Sequence, residues 1–227
     1  MEETAFQAGR NNMTNKIADH LRLQIVLQKY MPGERLIEMD LKNEFNVSRT
    51  TVRTALQMLE SEGLIRMLSN GGKEVIGFSR EHARDMYDLR ELLECYALQI
   101  CIEGNPDYSP MLSILSTVNQ IIHQNQEADS DYFADLDIQY HRAIVTMSRN
   151  LTLLRCWETM SPMICTLLKL NSDDDYRDNY IQEFTDKHQA ILNAIIQKDT
   201  TAIEKMRIHI RDARDMSIAR LNALWKQ

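Results

Sequence analysis

Residues 46–56 read NVSRTTVRTAL, and this stretch predicts a short helix with two unlike faces. Successive residues of a helix turn by about 100°, so residues three and four apart share a face. The apolar face comprises Val52, Ala55, Leu56 and Leu59. The opposite face carries Arg49, Thr50, Arg53, Thr54 and Gln57. We therefore expect the first face to pack on a core and the second to meet solvent or a partner.

The ends and the polar face of this helix indicate its use. Ser48 is an expected N-cap and Gly63 an expected stop. Arginine can pair with guanine through two hydrogen bonds or hold a phosphate, and a threonine can reach either. The backbone N–H groups at a helix N-terminus also favour phosphate. The helix taken alone is equally compatible with an ordinary solvated surface.

The flanking sequence predicts a winged helix-turn-helix domain over residues 1–78. A helical stripe runs from Thr14 to Lys29, and Pro32-Gly33 stops it before a short strand. A short helix over 39–45 precedes the arginine helix. Two apolar runs around Asn70-Gly71 then predict a hairpin with a type I′ turn, which needs positive φ at both central residues.

The negative charge of the chain lies outside this region. The net charge is -7, yet residues 1–79 hold 10 of the 26 Lys/Arg and 10 of the 33 Asp/Glu, a balance of zero. Whole-chain acidity therefore does not exclude DNA as a partner of the N-terminal domain. With no apolar stretch of about 18 residues, we expect a cytoplasmic protein without a membrane partner.

Residues 79–227 predict an all-helical bundle of six or seven helices, so the chain as a whole is mainly α. The helical segments run over about 81–104, 109–127, 130–148, 151–170, 177–198 and 201–225.

The N-terminal motif order resembles the DNA-binding domain of the GntR family of bacterial transcription regulators. The resemblance rests on MPGERLIEMDLKNEFNVSRTTVRTALQMLESEGLIRMLSNGGKEV and departs from the family at Met39, Thr51 and Thr54. It implies an operator as the partner and a dimer that binds two half-sites. The DNA-contacting set that it implies is Arg35, Ser48, Arg49, Thr50, Arg53 and Gly72.

Four residues of the second domain have a spacing that suits a metal site. Asp137 and His141 are four apart and share a helix face. His188 lies 11 residues before the break at Asp199 and His209 lies 10 after it. If the two helices are antiparallel, both imidazoles lie roughly 15–16 Å from the turn and are level. One carboxylate and three imidazoles suit a first-row divalent ion.

The second domain is similar to the FCD ligand-binding domain of the FadR branch of the same family. The likeness rests on DLRELLE, DLDIQYHRAI and DKHQAILNAIIQKD. It implies that the same four residues hold a divalent transition metal, with zinc preferred over nickel or manganese. It also implies a small carboxylate effector, for which Arg90 is a candidate partner. The alternative for Arg90 is a salt bridge to Glu94.

Three functions remain open at this point. The favoured hypothesis is a ligand-responsive transcription regulator with a metal site. The second is a regulator whose helical domain binds effector without metal or only dimerises. The third is a metalloenzyme, which would need a water-activating metal but lacks a placed general base and leaves the N-terminal domain unexplained. We therefore expect a protein that is not an enzyme.

Overall fold

A computed structural model describes residues 2–124, 130–171 and 177–226, with side chains for 13–124, 131–171 and 182–226. The chain divides into two compact units. One comprises Met1–Ser79 together with Leu224–Gln227, and the other comprises Arg80–Ala223.

The first unit has the order of a winged helix-turn-helix domain. A three-stranded antiparallel sheet of order β1-β3-β2 lies among three helices. Its register pairs Arg35 with Glu74 and Ile65 with Val75. The elements are α1 (Glu2–Val26), β1 (Arg35–Leu36), α2 (Glu38–Phe45), α3 (Arg49–Ser61), β2 (Ile65–Met67) and β3 (Lys73–Val75).

The core of this unit forms where α1 packs on α3. The apolar stripe predicted for α1 is buried, and so is the apolar face predicted for α3. Arg22 of α1, itself fully buried, donates to Glu62 from Nε at 2.6 Å and from Nη2 at 2.7 Å. This ion pair ties α1 to the C-terminal end of α3. Because the apolar face of α3 is used in the core, its arginine face is left outward.

The β2–β3 hairpin is present, but the predicted type I′ turn is wrong. Gly71 has a φ of +79°, whereas Asn70 is not among the residues with positive φ. The Gly71 N–H donates to the Leu68 carbonyl at 2.9 Å, and the Leu68 N–H donates to the Gly72 carbonyl at 2.8 Å. Such a loop is one residue longer than the predicted turn and places only its last residue in the left-handed region. The Asn70 Oδ1 atom accepts from the Gly72 N–H and stabilises this form.

The second unit is a helical bundle, as the sequence predicts. Within the described residues, no helix is both long and apolar enough to span a bilayer. The helices are α4 (Arg80–Glu103), α5 (Ser109–His123), α6 (Ser130–Met147), α7 (Leu151–Asn171), α8 (Arg177–Ile196) and α9 (Thr201–Leu224). The break between α8 and α9 is fixed by Asp199, which accepts from the Thr201 N–H and hydroxyl.

Candidate metal centre and nucleic-acid interface

Four side chains from three helices converge inside the helical unit. Asp137 and His141 come from α6, His188 from α8 and His209 from α9, and one ligand atom of each lies within 4.8 Å of all the others. The ring centroids of His188 and His209 are 4.6 Å apart. The nearly equal distances of these two histidines from the Asp199 break therefore do bring them level, as the sequence predicts.

Hydrogen bonds fix which ring nitrogens face the centre of this cluster. The Nδ1–H of His188 donates to the Phe184 carbonyl one turn earlier at 2.6 Å. The Nδ1 atom of His141 contacts the Glu94 carboxylate. With Nδ1 occupied in each ring, the Nε2 lone pair is left for the centre, which is the usual arrangement of metal-binding histidines. His141 Nε2 lies 3.1 Å from His209 Nε2.

The cluster also contains buried polar atoms that no side chain satisfies. Asp137 Oδ2 and His188 Nε2 are buried without a hydrogen-bond partner. His188 Nε2 does lie 3.2 Å from Asp137 Oδ1, close enough for attraction. Unsatisfied buried groups are costly, so two of them at one point fit a cluster that could hold a cation. A metal ion with bonds of about 2.1 Å holds its ligand atoms no more than about 4.2 Å apart, so the four side chains would close in slightly around such an ion.

The electrostatics of the cluster favour the ligand forms of Asp137, His188 and His209. Burial would lower the pKa of His141, but Glu94 and Asp137 outweigh it and raise that pKa above the ordinary value. Burial opposes ionisation of Asp137, but His141 and His188 outweigh it and hold the pKa of its carboxyl well below the ordinary value. Burial, with the nearby His188 and His141, holds the pKa of His209 well below its ordinary value. Burial likewise lowers the pKa of His188. A carboxylate and neutral imidazoles are the forms that bind a divalent cation.

Glu94 of α4 organises the side of the cluster away from solvent. It is fully buried and accepts from Arg90 Nε at 2.8 Å and from Trp157 Nε1 at 3.0 Å, in addition to its contact with His141. Burial alone would raise the pKa of the Glu94 carboxyl, but His141 and Arg90 lower it to about 2. Glu94 therefore supplies a fixed negative charge behind His141, and such outer carboxylates orient a ligand histidine and raise its basicity.

Arg90 forms the salt bridge that the sequence offered as an alternative to effector binding. Its guanidinium is fully buried between Glu94 and Asp137, with Nη2 3.5 Å from Asp137 Oδ2. Its two terminal nitrogens, Nη1 and Nη2, make no hydrogen bond. The salt bridge and the two unpaired nitrogens leave the effector role of Arg90 a prediction.

A cavity of about 70 Å³ opens onto the cluster from the α8–α9 side. Asp137, His188 and His209 form part of its wall, so a molecule in the cavity would touch the cluster directly. Lys187 lies at the same cavity and pairs with Asp212 at 3.2 Å. The rest of the wall comprises Leu168, Asn171, Glu183, Phe184, Ala213 and Met216.

The polar face of α3 presents two arginines beside each other in the first unit. The side chains of Arg49 and Arg53 are 61% and 53% exposed, and both contact the Glu38 carboxylate. Ser48 is the N-cap of α3, since its Oγ accepts from the Thr51 N–H at 3.1 Å. The N-terminus of α3 and both arginines are therefore available to a phosphate backbone or a base edge.

The other residues of the predicted DNA-contacting set lie on separate elements. Thr50 is exposed on α3, and its carbonyl accepts from the Thr54 hydroxyl at 3.0 Å. Arg35 is exposed on β1, and Gly72 is in the β2–β3 loop that forms the wing. The structure brings Arg49 and Arg53 together at one carboxylate, while the contacts of this whole set with DNA stay a prediction.

Two family patterns match the chain, one for each unit. That of the bacterial regulatory proteins of the gntR family matches residues 13–75, and that of the FCD domain matches residues 85–212. The chain belongs to the GntR family and carries an FCD domain. The gluconate operon transcriptional repressor of Bacillus subtilis is 28% identical over 215 residues, which cover 92% of this chain and 85% of the repressor.

Solved structures of GntR regulators share the fold of this chain. A regulator from Rhodococcus sp. RHA1 aligns with a TM-score of 0.62 and 22% identity, over 91% of this chain and 97% of that one. E. coli McbR/YncC aligns with a TM-score of 0.63 and 20% identity, over 94% and 98%. The relatives are transcription regulators and not enzymes, in agreement with the sequence prediction.

Two residues of the FCD domain escape a search for metal-binding patterns. Glu94 lies 43 residues before Asp137 and reaches the cluster only through the packing of α4 on α6. Lys187 directly precedes His188, and only the orientation of α8 puts both at the cavity. The one sequence signal for Glu94 was its spacing of four from Arg90. For Lys187, the signal was its position next to a histidine of the KHQAI segment.

Proposed function

We propose that this GntR-family regulator binds an operator as a homodimer and senses a small carboxylate at a metal held by its FCD domain. The observation that carries the sensing part is the convergence of Asp137, His141, His188 and His209, with two buried atoms left unsatisfied. In this proposal the protein acts in the cytoplasm, where its operator is.

The metal would be held by three imidazole Nε2 atoms and one carboxylate oxygen. This donor set suits zinc, with nickel or manganese as alternatives. The metal would supply a positive centre that binds a carboxylate oxygen. The cavity beside the cluster gives that carboxylate access, and its wall holds one further cation, Lys187, which is paired with Asp212. One relative represses a gluconate operon, and gluconate is a hydroxylated carboxylic acid, which agrees with a small carboxylate as the effector.

The homodimer is supported by an exposed apolar stripe on α4. Leu89, Leu92 and Tyr96 are 45%, 69% and 52% exposed, at the three-four spacing of a helix-pairing seam. A second copy of this helix, which presents the same apolar stripe, is the partner that would cover it.

A sedimentation experiment tests this dimer. Leu92→Asp places a charge in the seam and should shift the protein from dimer to monomer at micromolar concentration. Leu151→Asp is the matched control, because Leu151 is also 69% exposed but lies on α7. If both variants and the unsubstituted protein dimerise equally, α4 is not part of the dimer interface.

Effector binding would act by changing the relative placement of the two DNA-binding domains in the dimer. Half-sites one helical turn apart demand a fixed spacing of the two recognition helices. A ligand that prefers one placement shifts the population toward it, and DNA affinity changes by the same coupling energy. The FCD domain and the DNA-binding domain thus communicate through the dimer.

Metal analysis combined with DNA binding tests the whole proposal. Purified protein should contain about one divalent metal per chain, and His188→Ala should lose it. His123→Ala should keep it, because His123 is exposed on α5. Fluorescence anisotropy with the chain's own promoter region should show sequence-specific binding that responds to gluconate or a similar acid only in metal-loaded protein. If the native protein contains no metal, the metal part of the proposal is wrong. If it binds DNA without sequence preference, the proposal that it is an operator-binding regulator is wrong.

A further inference from the structure

Glu38 contacts both Arg49 and Arg53 of α3, the recognition helix of the proposed DNA-binding surface, although Glu38 itself belongs to α2. It is the first residue of α2, and its side chain is 19% exposed. Its Oε2 accepts from Arg49 Nε at 2.8 Å. Its carboxylate also accepts from Arg53, with Nε and Nη2 each at 3.4 Å. One carboxylate therefore joins two cations that are four residues apart on α3.

The geometry of the contact leaves the outer edge of Arg49 available. A guanidinium presents five N–H donors, and its Nη1–Nη2 edge can pair with guanine O6 and N7. Glu38 engages Arg49 through Nε, on the side nearest the backbone. Arg49 is 61% exposed and Glu38 only 19%, so the contact leaves much of the guanidinium open to solvent. The contact restricts the arginine without covering it.

The same contact changes the charge of the recognition surface. The pair of arginines carries two positive charges, and Glu38 offsets one of them. Hydrogen bonds from Arg49 and Arg53 lower the pKa of the Glu38 carboxyl, so it is ionised at neutral pH. Affinity for DNA of any sequence rises with each cation that neutralises a phosphate. Glu38 therefore weakens attraction to the phosphate backbone, while the Nη1–Nη2 edge of Arg49, to which it makes no hydrogen bond, stays available to a base.

We infer that Glu38 is a positioning and specificity residue of the DNA-binding surface. Its carboxylate holds Arg49 and Arg53 side by side with their outer donors directed away from the protein, and it suppresses binding to DNA of unrelated sequence. The ligand is double-stranded DNA, and the inference rests on the proposed function. Arginines that Glu38 already holds lose less conformational entropy on binding DNA than freely rotating arginines would.

Three variants test this role. Glu38→Gln removes the charge at nearly constant shape. Glu44→Gln is the control, because Glu44 is an exposed residue of the same helix and its loss changes the net charge equally. Glu38→Asp keeps the carboxylate on a shorter side chain. Thermal unfolding of each variant shows whether it is folded.

The measurement is anisotropy over a range of salt concentrations, with two duplexes. One is a duplex that the full-length wild-type protein selects from a random pool, and the other is an unselected random duplex. Glu38→Gln should bind the random duplex roughly fivefold more tightly at 0.15 M salt, with a salt slope steeper by about one. Its preference for the selected duplex should fall about tenfold or more. Glu38→Asp should recover part of that preference.

Two results would overturn the inference. If Glu38→Gln keeps the sequence preference and the salt slope of Glu44→Gln, Glu38 has no special role although the protein still reads DNA. If the wild-type protein selects no sequence from the pool, the proposed function fails and this role fails with it. The wild-type selection thus distinguishes the two failures.

Discussion

Replacing Glu94 with glutamine should both destabilise the FCD domain and weaken its hold on metal. Glu94 is fully buried and accepts hydrogen bonds from Arg90 and Trp157 while contacting His141. The variant keeps the shape but leaves the Arg90 cation with only Asp137, at 3.5 Å. Removing one partner of a buried ion pair costs about 3–5 kcal/mol because the remaining charge is uncompensated.

A loss of about 3 kcal/mol corresponds to a fall of about 6–12 °C in melting temperature for a chain of this size. Since Glu94 also orients His141, metal affinity should fall about 10–100-fold. Differential scanning calorimetry of metal-free protein measures the first effect. Competition with a chromophoric chelator measures the second.

The control is Glu158→Gln. Glu158 pairs with Arg142 across α6 and α7, but both side chains are exposed, at 43% and 49%. An exposed pair of this kind contributes less than about 1 kcal/mol. A Glu94→Gln protein that matches Glu158→Gln in both melting temperature and metal affinity would refute the role assigned to Glu94.

Three further outcomes follow from the structure. A fall in pH from 7.5 to 5.5 should destabilise the metal-free wild-type protein more than its His209→Gln variant. The pKa of His209 is lowered on folding, so the unfolded chain binds a proton below about pH 6.5 that the folded chain does not, whereas the raised pKa of His141 acts in the opposite direction in both proteins. Calorimetry measures both losses, and equal losses would contradict this. Ser48→Ala removes the N-cap of α3 and should cost about 1 kcal/mol in urea unfolding, whereas unchanged stability would mean the cap is unimportant. Gly77→Ala should lower the free energy of unfolding by more than about 1 kcal/mol, since φ is +93° and the added Cβ would lie 2.8 Å from Pro32 Cγ. Gly33→Ala has open space around the added Cβ and should lower it less. The reverse order would refute the steric argument.

The recognition helix shows how much the sequence could predict. Its apolar face, its Ser48 cap and its outward arginines follow from residues within one or two turns of each other, where helix geometry fixes the neighbours. The same local regularity placed His188 and His209 level with each other, because both were counted from one break at Asp199. The metal-site candidates were accordingly all within reach of the sequence.

The hairpin turn and Glu94 show where sequence reasoning ended. Asn70-Gly71 fits more than one turn type, and the bond from the Gly72 N–H to the Asn70 side chain selected the longer loop. Glu94 became part of the candidate metal centre because α4 packs on α6. A heptad or turn pattern does not report which face of one helix meets another.

The sequence by itself determined the helical fold, the family and the residue types of both candidate sites. Only the tertiary structure decided that Glu38 contacts Arg49 and Arg53, that Glu94 supports His141, and that Lys187 faces the cavity. The physical reason is the distance along the sequence over which each interaction acts. Helix periodicity and capping act over a few residues, whereas ion pairs between helices depend on packing angles that the whole core sets.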